Sequence, residues 1–224
     1  MGYFRYFSVL ILGGVVWVST SMALANINYD ESTQQDLSGD FASPTSLGVL
    51  GIGSNLVSGT STAGDVVELP PAVPAPHFPN LDADVWTVEV APNTQMDRVV
   101  LTHFEFTPTN LLGGDNGNGA WFAVEASGQI SDPMSPDALL GGGLVGMIPG
   151  QQQGDNVLED LGLATMGGAG FSGPLAAGTY TFWYQEGPTD TSYTFDFQVS
   201  EIPEPSTLVL FGLGCCFFGL RRRR

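Results

Sequence analysis

Lysine is absent from this 224-residue chain, and apart from two histidines its only basic residues are six arginines. Four of these close the sequence as Arg221, Arg222, Arg223 and Arg224, and a fifth, Arg5, lies near its start. Between residues 26 and 202, Arg98 therefore stands alone against all but one of the 23 acidic residues. A surface of that sign repels phosphate backbones, because nucleic-acid affinity rests on Lys and Arg displacing counterions, and nucleic acid is excluded as a partner. Ion pairing cannot hold such a fold together. Apolar burial and backbone hydrogen bonds must do so, and salt or divalent cations should relieve the self-repulsion.

Cysteine is nearly absent as well. Cys215 and Cys216 both sit in an apolar run at the C-terminal end, so the stretch before it has no disulfide to draw on. Residues 26–202 are long enough to build a core instead, since a domain of this size buries roughly 70% of its unfolded surface. Catalytic signatures are scarce too. His77 and His103 are the two histidines, and neither a Gly-x-Ser-x-Gly elbow, a His-Glu-x-x-His helix nor a Gly-x-x-x-x-Gly-Lys phosphate loop occurs. No Ser-His-Asp triad can be argued from two such histidines. The reading is non-enzymatic, and a secreted hydrolase using an acidic pair among the many carboxylates is its enzymatic alternative.

Residues 1–25 open on Arg5, continue through an apolar run at 7–18 and close on Ala23-Leu24-Ala25, the small-x-small pattern of a secretory cleavage site. Signal peptidase is expected to cut after Ala25. An apolar run of about a dozen residues is short against the roughly 20 needed to cross a bilayer. The exported domain, 26–202, contains a proline-rich loop at 66–81 with Pro70, Pro71, Pro74, Pro76 and Pro79, a density that forbids a helix.

Period-two alternation marks the strands. In 191–199, Tyr193, Phe195, Phe197 and Val199 share one face, and Ser192, Thr194, Asp196 and Gln198 share the other. In 179–185, Tyr180, Phe182 and Tyr184 alternate with Thr179, Thr181 and Trp183. The turn sequence at 186–190 predicts that these two runs pair as an antiparallel hairpin. Further strands are expected at 85–90, 99–106 and 120–126, with weaker signals at 47–50 and 56–59. Residues 139–170 are too glycine-rich to assign, save for a helical turn or two at 156–163. Short β-rich runs between Gly, Pro, Asn and Asp clusters predict an all-β domain, a β-sandwich of jelly-roll type.

After the last strand come Pro203, Glu204 and Pro205, then an uncharged stretch, 206–220, and the four terminal arginines. The prolines end the strand. The apolar stretch predicts a short transmembrane helix, brief against a core about 30 Å thick. The arginines hold the end on the cytoplasmic side by the positive-inside rule.

This order at 203–224 resembles the PEP-CTERM sorting signal of Gram-negative bacteria. The resemblance implies export across the inner membrane, a transient membrane hold, and cleavage by exosortase, a membrane-embedded peptidase, with Pro203, Glu204 and Pro205 as the recognition element. It further implies a cell-surface or extracellular-matrix destination, associated with exopolysaccharide and biofilm. A second resemblance covers the exported part. Asp36-Leu37-Ser38-Gly39-Asp40, the run Asn55-Leu56-Val57-Ser58-Gly59, Asp82-x-Asp84-Val85-Trp86-Thr87-Val88 and Gly178-Thr179-Tyr180-Thr181-Phe182-Trp183 look like the bacterial pre-peptidase C-terminal domain, a β-sandwich accessory module.

Two kinds of ligand site are candidates. The loop 113–119 offers Asp115, Asn116 and Asn118 at near-alternate positions, as a hard cation such as Ca²⁺ requires, although Asn-Gly is also a strong turn former. Asp82 and Asp84, at the start of a strand, are a comparable pair. Trp183 and Trp121 are candidates for stacking on sugar rings, with core packing as the alternative. The function expected is thus a structural or carbohydrate-binding module in the extracellular polymer, with a calcium-binding accessory sandwich as the alternative.

Overall fold

The computed structural model describes residues 25–62, 82–107, 119–146, 152–186 and 189–203. The signal peptide expected at 1–25 (all but Ala25), the proline-rich stretch expected as a loop at 66–81, the candidate ligands Asp115, Asn116 and Asn118, and the tail from Glu204 to Arg224 lie outside the described residues. Among the described residues no helix is long and apolar enough to cross a membrane.

The described chain forms nine strands: β1 (Asn28–Asp30), β2 (Thr45–Val49), β3 (Gly53–Ser61), β4 (Ala83–Val90), β5 (Thr94–Thr107), β6 (Ala120–Glu125), β7 (Gly141–Val145), β8 (Gly178–Gln185) and β9 (Asp190–Glu201). They make two sheets, one ordered β1-β3-β9-β5 and the other β2-β4-β8-β6-β7. The pairs β1–β3 and β2–β4 are parallel, and all others are antiparallel. The architecture is the expected sandwich, for the reason the alternation gives. Trp86, Val88 and Val90 from β4, Phe182 and Tyr184 from β8, and Tyr193, Phe195, Phe197 and Val199 from β9 meet in one core between the sheets. Trp86 lies at its centre, stacked near Phe122, Phe182 and Tyr193 with ring centroids 6.2, 6.1 and 6.2 Å away.

The expected hairpin does not form. β8 pairs with β4 and β6 in one sheet, and β9 pairs with β3 and β5 in the other. The aromatic faces explain the crossing. As neighbours in one sheet the two rows of rings would cover each other only along their edges, whereas across the interior they pack against each other, tilted or edge to face. Tyr184 lies 4.0 Å from Tyr193 and Phe182 lies 5.0 Å from Phe197, centroid to centroid.

Each open side of the sandwich is covered. Helix α1 (Val157–Gly162) packs against edge strands β5 and β7, with Val157, Leu158 and Leu161 turned into the core. Residues 154–156 and 175 take up backbone groups along β5, through Leu101 N to Asp155 O at 3.2 Å and Met96 N to Leu175 O at 2.8 Å. On the opposite side the chain after β1 runs over the start of β4, where Val85 N donates to Ser38 O at 2.8 Å and Leu37 is buried. Fully buried Asn55 fastens β1 to this frame: its Oδ1 accepts from Ile27 N and Gly51 N, and its amide donates to the carbonyls of Gly51 and Phe197.

Candidate functional site

Neither tryptophan offers a ring face to a sugar. Trp183 does face away from Phe182 and Tyr184, but a third layer covers it: Trp121, Ala123, Ile130 and Leu139 join it in a second buried cluster with Phe41 packed alongside. Its ring meets Trp121 at 6.0 Å and Phe41 edge-on at 4.9 Å. Trp183 is fully buried and Trp121 is 7% exposed. Period two gives the face of a residue but not what is folded over that face, and here residues 126–140 return across it.

Asp82 and Asp84 part company. Asp82 turns toward the end of β3, where its carboxylate accepts from Thr62 N and Thr62 Oγ1, both at 2.9 Å, and its carbonyl accepts from Ser61 Oγ at 3.0 Å. Asp84 points between the sheets in phase with Trp86 and is fully buried. Tyr193 Oη, from the facing sheet, donates to its Oδ2 at 2.8 Å, and Oδ1 has no hydrogen-bond partner among the described residues.

The structure adds two acids that the sequence reading passed over. Glu31 follows β1, and its carboxylate accepts from Leu37 N at 2.8 Å and Thr60 N at 2.7 Å. Asp36 sits one residue before buried Leu37, which that bond and the Ser38 bridge to Val85 hold against β4. One carboxylate oxygen from each of Glu31, Asp36 and Asp84 lies within 4.8 Å of the others. Gly59 makes room for the arrangement, since a methyl group there would collide with Tyr193 Oη and Glu31 Oε2. One signal could have marked the site: Asp84 shares the parity of Trp86, Val88 and Val90, so a carboxylate stands in the core-facing register of a strand. Nothing in the sequence pairs positions 31 and 36 with 84, because the fold alone joins them.

The electrostatics follow from burial without a counter-charge among the described residues. Desolvation pushes Asp84 up to about 9; Glu31, Asp82 and Asp36 push it the same way, and only the Tyr193 hydroxyl opposes them. Burial also raises Glu31 above the usual carboxylate range and Tyr193 well above the usual phenol range. The one arginine of the described residues cannot compensate. Arg98 pairs with Gln198 on β9, five positions from Tyr193 and so roughly 17 Å along the strand, and is exposed. His103 is turned to the other side of β9, where its Nε2 meets Ser192 Oγ at 3.1 Å.

The opposite end of β9 leads out of the sandwich. Ile202 N donates to Asn93 O at 2.8 Å, closing the strand, and Pro203 follows in exposed, non-strand backbone. Residues 201–224 match the family model of the PEP-CTERM protein-sorting motif. No curated protein and no solved structure matches the chain. The resemblance of the sandwich to the pre-peptidase domain therefore rests on its motifs alone. The matched motif is that of exported proteins sorted to the cell surface by exosortase, which makes this chain an exosortase substrate.

Proposed function

We propose that the sandwich is a non-enzymatic module which, once delivered to the cell surface, serves as a structural component of the extracellular polymer. The sorting motif at 201–224 is the observation that carries this reading. The energetics of the domain agree with it. Aromatic side chains fill the interior, and the carboxyl with the most altered acidity, Asp84, is fully buried, whereas a general acid must come within hydrogen-bond reach of its substrate. Intact-mass measurement on the mature protein, with and without a working exosortase, tests the reading. A C-terminus near Pro203 and recovery in the matrix fraction, both lost without exosortase, are expected. An intact Arg224 on the matrix form, or turnover of a glycan or ester by the purified protein, would overturn it.

A second reading, polysaccharide contact, moves from the tryptophans to the outer face of the four-stranded sheet. There Ser58 and Thr194 meet at 2.9 Å, Ser54 and Gln198 both donate to Asp196, and Ser192 pairs with His103. These hydroxyls and amides form a polar surface across β3, β9 and β5. Retardation in gels containing matrix polysaccharide, weakened by Thr194→Val, supports this reading; unchanged mobility in all such gels removes it.

A further inference from the structure

We propose that Glu31, Asp36 and Asp84 form a divalent-cation site, sized for Ca²⁺, which ties the chain after β1 to the start of β4. Three independent features of the structure meet there. The first is geometric. Calcium–oxygen bonds of about 2.3–2.6 Å let one ion bridge oxygens up to about 5 Å apart, whereas Mg²⁺, at about 2.0–2.1 Å, reaches only about 4.2 Å. The three carboxylate oxygens lie within 4.8 Å of one another, so an ion shared by all three would sit at most about 2.8 Å from each, and a slight inward shift of the side chains brings them to calcium–oxygen distance.

The second is an unused ligand atom. Asp84 is fully buried, Tyr193 occupies its Oδ2, and its Oδ1 has no hydrogen-bond partner among the described residues. A buried oxygen left bare costs free energy unless something binds it, and the carboxylates of Glu31 and Asp36 stand close to that of Asp84. The third is charge. Three acids meet at the mouth of the core with no basic side chain among the described residues to balance them, and a divalent ion supplies that balance in the oxygen-rich surroundings that hard cations select. Glu31 is already oriented for the task, since backbone N–H groups of Leu37 and Thr60 hold its two oxygens and leave further lone pairs free.

Two of the ligands come from the segment just after β1, a three-residue strand at the sheet edge, and the third from β4 in the other sheet. The ion would thus staple the edge of one sheet to the other. In a chain without disulfides in this region, such a staple takes the place of a covalent one. Export would deliver the domain to surroundings where Ca²⁺ is plentiful, and weak extracellular calcium modules operate with dissociation constants of about 10⁻⁴–10⁻³ M.

The test uses the full chain, stripped with EDTA and held in detergent, with CaCl₂ as the probe. Calcium should raise the thermal midpoint, and NaCl at matched ionic strength should not reproduce the rise. Direct titration should give a saturable site whose affinity falls at least about tenfold in Asp36→Asn and Asp84→Asn and stays unchanged in Asp132→Asn, an exposed acid elsewhere. Asp36 is exposed, so its variant decides the matter even if Asp84→Asn fails to fold. A rise matched by NaCl, or wild-type affinity in Asp36→Asn, overturns the site. Loss of sorting without loss of calcium binding would separate this result from the surface-module reading.

Discussion

Asp84 and Trp86 occupy successive inward positions on β4, and both are fully buried, yet their surroundings are opposite. Trp86 has rings on all sides, including Phe195 at 6.4 Å and Phe197 edge-on at 6.5 Å. Asp84 has one hydroxyl and a group of like charges. Two residues of strand thus separate a position that stabilises the sandwich from one that destabilises it unless a proton or cation is present. Burial is the same for both; the partner decides the sign. The largest effect is expected on the favourable side. Trp86→Ala removes the centre of the core and should cost about 3–5 kcal/mol, read as a lowered denaturant midpoint. A loss below about 1 kcal/mol would mean that the rings around it pack without it.

On the other side the expected signature is a dependence on pH. Asp84 is held up to about 9 in the fold, chiefly by burial, against an ordinary carboxyl value near ~4 when unfolded. The folded state therefore keeps a proton that the unfolded chain releases. Its contribution to stability is fully present below about pH 4 and is lost as pH rises toward 9, at up to about 1.4 kcal/mol per pH unit. Glu31, raised in the same direction, steepens the fall. Unfolding in EDTA across this range should show the decline, and Asp84→Asn should flatten most of it. A stability that rises with pH in EDTA, as salt-bridged carboxylates produce, would refute the assignment of Asp84 as the uncompensated charge. A smaller effect is expected next door. Gly59→Ala would press a methyl into Tyr193 Oη and Glu31 Oε2 and should cost about 1–3 kcal/mol, with weaker tyrosine protection from solvent as the check.

The same contrast explains what could be read from the sequence. β4, β6, β8 and β9 announce themselves because an apolar side chain recurs at alternate positions, and β5 does so in two runs of opposite phase on either side of the shift at Leu101/His103. β7 carries no such mark, since Gly141 and Gly142 have no side chains to alternate. Their bareness is structural: a methyl at Gly141 would strike Leu161 O, and one at Gly142 would strike the Trp121 ring. The strand is glycine-rich because a helix turn and an indole lie against it. Alternation also ranks residues by face without naming neighbours, so the rings of β8 and β9 were legible while their placement in different sheets was not. The carboxylate cluster was hidden for a related reason: its three members come from two segments that meet only after the sheets have stacked. Of the acids singled out in sequence, Asp82 and Asp84 looked equivalent and share one parity; the strand boundary separates them, since β4 begins at Ala83 and leaves Asp82 outside it.

That pair yields the finest test of the comparison. Asp82 lies two residues from Asp84, and its charge is felt by both Asp84 and Glu31, but its Oδ2 accepts two hydrogen bonds from exposed Thr62, just past the end of β3. Asp82→Asn keeps an acceptor for Thr62 and removes one like charge from the neighbourhood. Losing the charge on these two exposed hydrogen bonds should cost at most about 1 kcal/mol, and relieving repulsion should return part of it, so the net change in stability should be small. The pH profile should keep its slope, because the buried proton still resides on Asp84, with its upper limit moved slightly toward lower pH. Calcium should bind Asp82→Asn nearly as it binds the parent chain. A loss of calcium response as large as that of Asp36→Asn would instead place Asp82 among the ligands and extend the site along the start of β4.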